Sequence, residues 1–318
     1  MHIKEPINIL IACDKNYSPY YGVMLTSLFM NNKESSFHIH WITDKFVPQT
    51  EKDKFQKLVN KNHSELSIYE IDNSSLTDFP QTAHINYAAY YNLKASDILP
   101  KDVHRIIYMD GDMIVNGNVC SLWDLDLQGN VCAQVLGGSY KDHSLYERLN
   151  YAKEYGYYNN GVVLYDFDKL REMKFSQKAI QYVINNQNVK WMDQDTINAL
   201  LYDKTLRLPL RYNFQTLFFT REFWQDYDAD LKKQILTESK NPIIIHYNGM
   251  AKPWNFSYYG YPFGRVWKKY CKLSKWSSAY KRDSMSKFIK YIIKRIILPR
   301  SFRRKHDAIY IEESWSLR

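Results

Sequence analysis

Short, nearly continuous apolar stretches alternate with longer amphipathic ones along most of the chain. Ile7-Asn8-Ile9-Leu10-Ile11-Ala12 reads as a buried strand, and an apolar helix around residues 20–31 follows it. Phe37-His38-Ile39-His40-Trp41-Ile42 predicts the next strand, with a charged helix from Pro48 to about Lys61. Leu66-Ser67-Ile68-Tyr69-Glu70-Ile71 alternates with a period of two, the mark of a third strand. A helix over about 86–98 then leads into the strand Val103-His104-Arg105-Ile106-Ile107-Tyr108-Met109. This β-α-β-α-β-α-β order predicts an α/β fold, with a mostly parallel central sheet and helices on both faces. Further on, the pattern predicts strands at 131–136, 161–165 and 243–245, and helices near 168–185 and 193–203.

A different pattern closes the chain. From Met285 the apolar residues fall at Met285, Phe288, Ile289, Ile292, Ile293, Ile296 and Ile297, a complete helical stripe. Lys287, Lys290 and Lys294 lie opposite it, with Arg295 at the edge. Ser284 or Asp283 can cap the start of this helix, and Pro299 ends it. Charge sharpens the picture. The net charge is +9, but residues 265–305 carry 15 Lys or Arg against the single acid Asp283, and residues 306–318 sum to −2. Residues 1–264 are therefore a mildly acidic body at −3, and 265–318 a strongly basic extension. Cations and an apolar stripe on one helix predict binding to an anionic membrane surface through residues 281–305. Each Lys or Arg there is worth about 1 kcal/mol. The plainer alternative is a helix docked on the body. Nucleic acid is disfavoured as a partner, because the charge is confined to the tail and the body shows no basic groove.

Length and cysteine content bound the rest. A chain of 318 residues can bury a large core. Cys13, Cys120, Cys132 and Cys271 form no Cys-x-x-Cys pair, so neither a zinc site nor a disulfide framework is indicated. That fits a reducing compartment. The segment Met1-His2-Ile3-Lys4-Glu5-Pro6 has no signal-peptide layout, and no apolar run approaches the ~20 residues that span a bilayer. The expected location is the cytoplasm, peripheral to the inner membrane.

Candidate chemistry gathers at the predicted strand ends. Asp110-Gly111-Asp112 follows the strand that ends at Met109. Carboxylates two apart share one side of an extended chain, and Gly111 lets the backbone come close to a ligand. A pair of hard oxygen ligands at the carboxyl end of a strand suits a divalent cation holding a phosphorylated substrate, although an Asp-Gly turn alone is common. The first strand ends in Cys13-Asp14-Lys15-Asn16-Tyr17, where an Asp and an Asn can read a nucleobase edge and a Tyr can stack on its face. An ordinary βα turn would use the same residues as caps. Asn159-Asn160 precede the strand Gly161–Tyr165, polar amides placed to face the same cleft. Asp193-Gln194-Asp195 opens a helix, where acids are also expected from the dipole. The apolar strand near 245 runs into His246-Tyr247-Asn248-Gly249-Met250-Ala251-Lys252-Pro253-Trp254, a nitrogen ligand followed by a cation able to reach phosphate.

In this order the motifs resemble glycosyltransferase family 8, which includes bacterial lipopolysaccharide galactosyl- and glucosyltransferases and the glycogenins. The resemblance covers roughly residues 7–256. It implies a GT-A fold, a Rossmann-like nucleotide-diphospho-sugar transferase domain over 1–264, and a retaining transfer of a hexose from a UDP-sugar to a glycan acceptor. It further implies that Asp14, Asn16 and Tyr17 hold the uridine and that Asp110, Asp112 and His246 hold Mn²⁺ beside Gly111. Asn159 and Asp193 would contact the donor sugar hydroxyls, Gln194 would lie under the reacting carbon, and Gly249 and Lys252 would bind the diphosphate. Two carboxylates and one imidazole accept Mn²⁺ more readily than Mg²⁺, which prefers an all-oxygen shell. An interfacial enzyme suits a lipopolysaccharide or another lipid-linked saccharide as acceptor. A nucleotide-sugar hydrolase or a nucleotidyltransferase on the same metal–diphosphate site is the alternative. The chain departs from the family in Tyr90-Tyr91-Asn92-Leu93, where Asn92 stands at the usual arginine, and in Ala133-Gln134-Val135-Leu136-Gly137-Gly138, which lacks an acidic acceptor contact.

Overall fold

A computed structural model describes residues 5–72, 87–186, 189–249, 251–255 and 262–280, together with Ile289 and Ile293. Among these residues ten strands form two sheets: β1 Ile7–Ala12, β2 Phe37–Thr43, β3 Glu65–Glu70, β4 Arg105–Met109, β5 Met113–Val115, β6 Cys132–Leu136, β7 Tyr158–Asp166, β8 Thr205–Leu208, β9 Phe214–Gln215 and β10 Ile244–His246. The larger sheet has the order β3-β2-β1-β4-β7-β6-β8 and the smaller the order β5-β10-β9. In the larger sheet β1, β2, β3 and β4 are mutually parallel, β6 and β8 are parallel, and β7 alone runs against its neighbours.

Strand periodicity explains how β1 serves two layers. Ile7, Ile9 and Ile11 enter the main core, whereas Leu10 and Ala12 face a second core on the other side. The helix Ser18–Asn31 is apolar almost all round and is buried along most of its length in the main core. The helix Gln49–Lys61 is mostly charged and buries only Lys52, Phe55 and Val59, one narrow stripe. The helices Phe167–Glu172, Phe175–Asn185 and Met192–Leu201 cover the opposite face.

Several elements differ from the sequence pattern. The helix expected over 86–98 is a 3-10 helix, Tyr87–Lys94, followed by one α-turn, Ala95–Ile98. The single helix expected near 168–185 is two, broken where Lys174 adopts φ 54°. The strand expected at 161–165 begins at Tyr158 and runs antiparallel. The strands β5, β8 and β9 were not anticipated, being only three, four and two residues long.

Composition and packing also part ways at the end of the body. The basic stretch begins at Arg265, yet the helix Gly264–Leu273 buries Trp267, Tyr270 and Cys271 in the main core. Trp276 packs edge-on to Phe55 at 4.9 Å, and its indole N–H donates to Glu51. The packed body therefore reaches at least Ala279, beyond the composition boundary at 264/265, because the apolar face of this segment outweighs its charge. Most of the amphipathic stripe, including Met285, Phe288, Ile292, Ile296 and Ile297, lies outside the described residues. Ile289 and Ile293, one turn apart, are helical and 49 % and 48 % exposed. Among the described residues no helix is long and apolar enough to cross a membrane.

Candidate active site

Sheet register assembles the carboxylate pocket. The chain leaves β4 at Met109, passes Asp110–Asp112 and enters β5, which pairs antiparallel with β10 so that Met113 lies opposite His246. The Asp110 amide donates to Gly161 O at 2.8 Å, and the Tyr247 amide to Asp112 O at 2.9 Å. Ligand atoms of Asp110, Asp112 and His246 consequently lie within 4.8 Å of one another. His246 Nε2 is 3.3 Å from Asp112 Oδ1 and 3.9 Å from Asp110 Oδ2.

Two glycines are explained by space. A Cβ on Gly161 would sit 2.4 Å from His246 Cε1 and 2.6 Å from Met113 Cε, so any side chain there displaces the imidazole. A Cβ on Gly111 would sit 2.7 Å from the Tyr21 ring. The close packing of Tyr21 behind the turn is thus a second reason for glycine at 111, beside the close backbone approach to a ligand expected from the sequence. Gly249, by contrast, has φ 87°, a conformation that favours glycine, in the loop after β10.

The pocket is electrostatically uneven. Asp112 is nearly buried; burial opposes its charge, but Lys252 at 2.5 Å and then His246 outweigh that cost and hold its carboxyl well below the usual range. Asp110 keeps 32 % of its side chain exposed, and its low-dielectric surroundings and the Asp112 charge push it up to about 6. Tyr108 donates to Asp110 Oδ1 at 2.6 Å. Asp193 is pushed up to about 7, first by burial and then by the Asp110 charge, although Asn92 (2.8 Å) and Asn160 (2.5 Å) both donate to its Oδ2.

The residues fit a divalent cation. The donor set is two carboxylates and an imidazole, and His246 Nδ1 faces Asn213 Oδ1 at 2.9 Å, which turns Nε2 toward the carboxylates. Lys252 also donates to Tyr247 O at 3.1 Å. Its ammonium thus sits on a carboxylate of the cluster.

The first and last loops meet beside this cluster. Tyr20 and Trp254 stack at 3.7 Å between centroids, and Tyr17 packs edge-on to both, at 5.2 and 6.0 Å. Burial, and then the charges of Asp112 and Asp110, raise the Tyr17 phenol well above its ordinary value. Asp14 Oδ1 accepts from the Asn16 and Tyr17 amides, both at 3.0 Å, and Oδ2 accepts from Asn16 Nδ2 at 2.9 Å. Both residues expected to read a nucleobase thus also shape their own βα turn.

A register shift in the β6–β7 pairing, where Gln134 opposes Val163 but Val135 opposes Asn159, explains how adjacent amides reach one cleft. Asn160 binds Asp193, while Asn159 Nδ2 donates to Gln194 Oε1 at 2.9 Å. Asn159 Oδ1 accepts from Gly161 N and Asn213 Nδ2, so this side chain belongs to the framework of the site. Asp195 is fully buried and accepts from the Lys190 and Trp191 amides. Asn213, Tyr108 and Tyr157, which complete these contacts, carried no spacing signal. Asn213 sits in the turn Leu210–Asn213 before a two-residue strand, Tyr108 reads as one more residue of its strand, and Tyr157 lies just ahead of β7, outside the strand expected there.

The sequence model of glycosyl transferase family 8 matches residues 8–257. The chain is 31 % identical over 288 residues to the lipopolysaccharide 1,2-glucosyltransferase of Escherichia coli K12, covering 90 % of this chain and 83 % of that one. It is 26 % identical to the lipopolysaccharide 1,3-galactosyltransferase of Salmonella typhimurium, covering 86 % of this chain and 80 % of the relative. Among solved structures it resembles the galactosyltransferase LgtC in complex with donor and acceptor sugar analogues, with a TM-score of 0.75 at 19 % identity, covering 86 % of this chain and all (100 %) of that one.

Proposed function

The chain belongs to glycosyltransferase family 8 and has the GT-A fold, and from that premise we propose that it moves a hexose, glucose or galactose, from a UDP-sugar to a glycan with retention at the anomeric carbon. The observation that carries this reading is the convergence of Asp110, Asp112 and His246 at the end of β4. Breaking a sugar–diphosphate bond develops charge on the leaving group. A divalent cation, Mn²⁺ before Mg²⁺, would neutralise that charge when held by these three side chains. Lys252 adds a cation at the same place, and Gly249 lets the loop that carries it turn. The Tyr17–Tyr20–Trp254 cluster, with Asp14 and Asn16 behind it, offers a face for the uracil. Asp193 and the Asn92 and Asn160 amides around it supply acceptors and donors for sugar hydroxyls. Gln194 is hydrogen-bonded at both ends of its amide and serves as an oriented polar group near the reacting carbon.

The acceptor we propose is a lipopolysaccharide or another lipid-linked saccharide, as the names of the relatives suggest. The enzyme would then work at the cytoplasmic membrane face. The half-exposed side chains of Ile289 and Ile293 support the membrane reading, and we place the division between catalytic body and basic extension after residue 280.

Thermal shift with UDP-glucose and UDP-galactose tests the donor and the metal together. A ligand at 100 times its Kd adds about 2.7 kcal/mol, which in a body of this size raises Tm by on the order of 5 °C. The shift is expected only with sugar nucleotide and Mn²⁺ together. Stabilisation that ignores EDTA overturns the metal assignment, and release of free hexose with a glycan acceptor present favours the hydrolase.

A second test addresses the extension. Removing residues 281–318 leaves a folded body that still binds UDP with Mn²⁺, because every proposed site residue precedes 255. The truncated protein no longer sediments with anionic liposomes, and binding of the full chain falls with salt as the cations are screened. Truncated protein that still sediments would place the membrane contact elsewhere.

A further inference from the structure

A buried line of side chains joins the three-ligand pocket to Gln194 and continues past it to an ion pair. Its polarity can be worked out from groups that hydrogen-bond in only one sense. Asp195 is wholly buried and held by both terminal guanidinium nitrogens of Arg148, at 2.5 and 3.1 Å, so it only accepts. Tyr157 therefore donates its hydroxyl to Asp195 Oδ1 at 2.8 Å, and its oxygen accepts from Gln194 Nε2 at 2.8 Å. With Nε2 so committed, Gln194 Oε1 accepts from Asn159 Nδ2 at 2.9 Å, and Asn159 Oδ1 accepts from Asn213 Nδ2 at 2.8 Å. The Gly161 amide, a donor only, reaches the same Asn159 Oδ1 at 3.1 Å and fixes the same sense independently. Asn213 Oδ1 is left facing His246 Nδ1 at 2.9 Å, and an acceptor there requires the proton on Nδ1.

We propose that Asn213, Asn159 and Tyr157 are positioning residues, forming a relay of single polarity anchored by Asp195 and the Gly161 amide. The relay holds His246 with its proton on Nδ1 and Gln194 with one orientation of its amide. The metal ligand and the polar group at the reacting sugar are thereby set by one network. What the relay serves rests on the proposed function; its polarity does not. A relay of this kind is satisfied at every member, which makes any single reversal costly for its neighbours.

The test begins with nitrogen-15 NMR of histidine-labelled, metal-free protein. In the wild type the His246 proton is expected on Nδ1. In Asn213→Leu it is expected to move to Nε2, where Asp112 Oδ1 at 3.3 Å can accept it. Mn²⁺ binding, read from the spin resonance of the free ion, is then weaker by about 10–100-fold, the usual cost of losing a partner behind a metal-bound histidine. Asn213→Asp keeps the acceptor for His246 but sets a second acceptor against Asn159 Oδ1. It retains the Nδ1 proton and Mn²⁺ binding while turnover falls, and it carries the test if Asn213→Leu does not fold. Tyr157→Phe cuts the line beyond Gln194, so kcat falls more than the donor KM changes and Mn²⁺ affinity is kept. A His246 proton that stays on Nδ1 in Asn213→Leu overturns the relay, as does Tyr157→Phe with unchanged kcat. A wild type that binds no Mn²⁺ overturns the metal reading instead, and the NMR comparison, made without metal, still decides the relay.

Discussion

Asp110→Ala, Asp112→Ala and His246→Ala each abolish sugar transfer while leaving a folded protein. Each removes one of three ligand atoms that lie within 4.8 Å, and a metal contributes several kcal/mol of charge stabilisation, so the fall in kcat/KM is on the order of 10³-fold or more. The fold survives because none of the three side chains holds the sheet together. The Asp110–Gly161 and Tyr247–Asp112 links are made by backbone atoms. Asp110→Ala is the most informative of the three. Its carboxyl is pushed up to about 6 by burial and by Asp112, so removing it relieves repulsion and the metal-free melting temperature does not drop. The donor-induced thermal shift disappears in the same variant. Two of these variants active at wild-type levels in the presence of Mn²⁺ would show that the cluster is not the metal site.

Much of this site was legible because its residues lie where strand patterns end. Asp110 and Asp112 follow the largely apolar strand β4, and Tyr17 follows β1. The two loops converge because β1 and β4 are parallel neighbours: the alternation of strands and helices predicts that they are parallel, and the structure makes them adjacent. His246 was legible for the same reason, but its partner across the sheet was not. β5 has three residues and β9 two, too few for a period to register, and it is their pairing with β10 that delivers His246 to the cleft. Asn213 has no local signature, since a buried amide in a turn is distinguished only by what it touches. Direction was lost along with these contacts. A short apolar run such as Val162–Tyr165 reads alike in either sense, so the reversal of β7 had to come from the structure. Charge misled at the C-terminal boundary, because Trp267 and Trp276 are buried within a segment whose exposed face is cationic.

Asp193→Asn stabilises the ligand-free protein and loses transfer. Burial, and then the Asp110 charge, push the Asp193 carboxyl up to about 7 in the folded chain, from an ordinary value of 3.8. Between those values the folded state holds a proton that the unfolded state has released, so stability falls as pH rises through this window. The stabilising contribution is complete below about pH 4 and lost above about pH 7. Asp110 adds a slope of the same sign up to about pH 6, whereas the depressed Asp112 acts oppositely and only at lower pH. An asparagine at 193 stays neutral and can still accept from Asn92 and Asn160, whose amides lie 2.8 and 2.5 Å from the present carboxylate oxygen. At pH 8 the gain is about 1–3 kcal/mol, discounted because the side chain is only partly buried. Urea melts from pH 4 to pH 8 should therefore show a shallower decline for the variant. Transfer falls by roughly 10² or more, because a charged acceptor for the donor hydroxyls becomes a neutral one. A carboxylate retained at a cost in stability is expected where a binding site needs it. If the variant is less stable than the wild type at pH 8, Asp193 is a structural anchor for Asn92 and Asn160 and not a strained sugar contact.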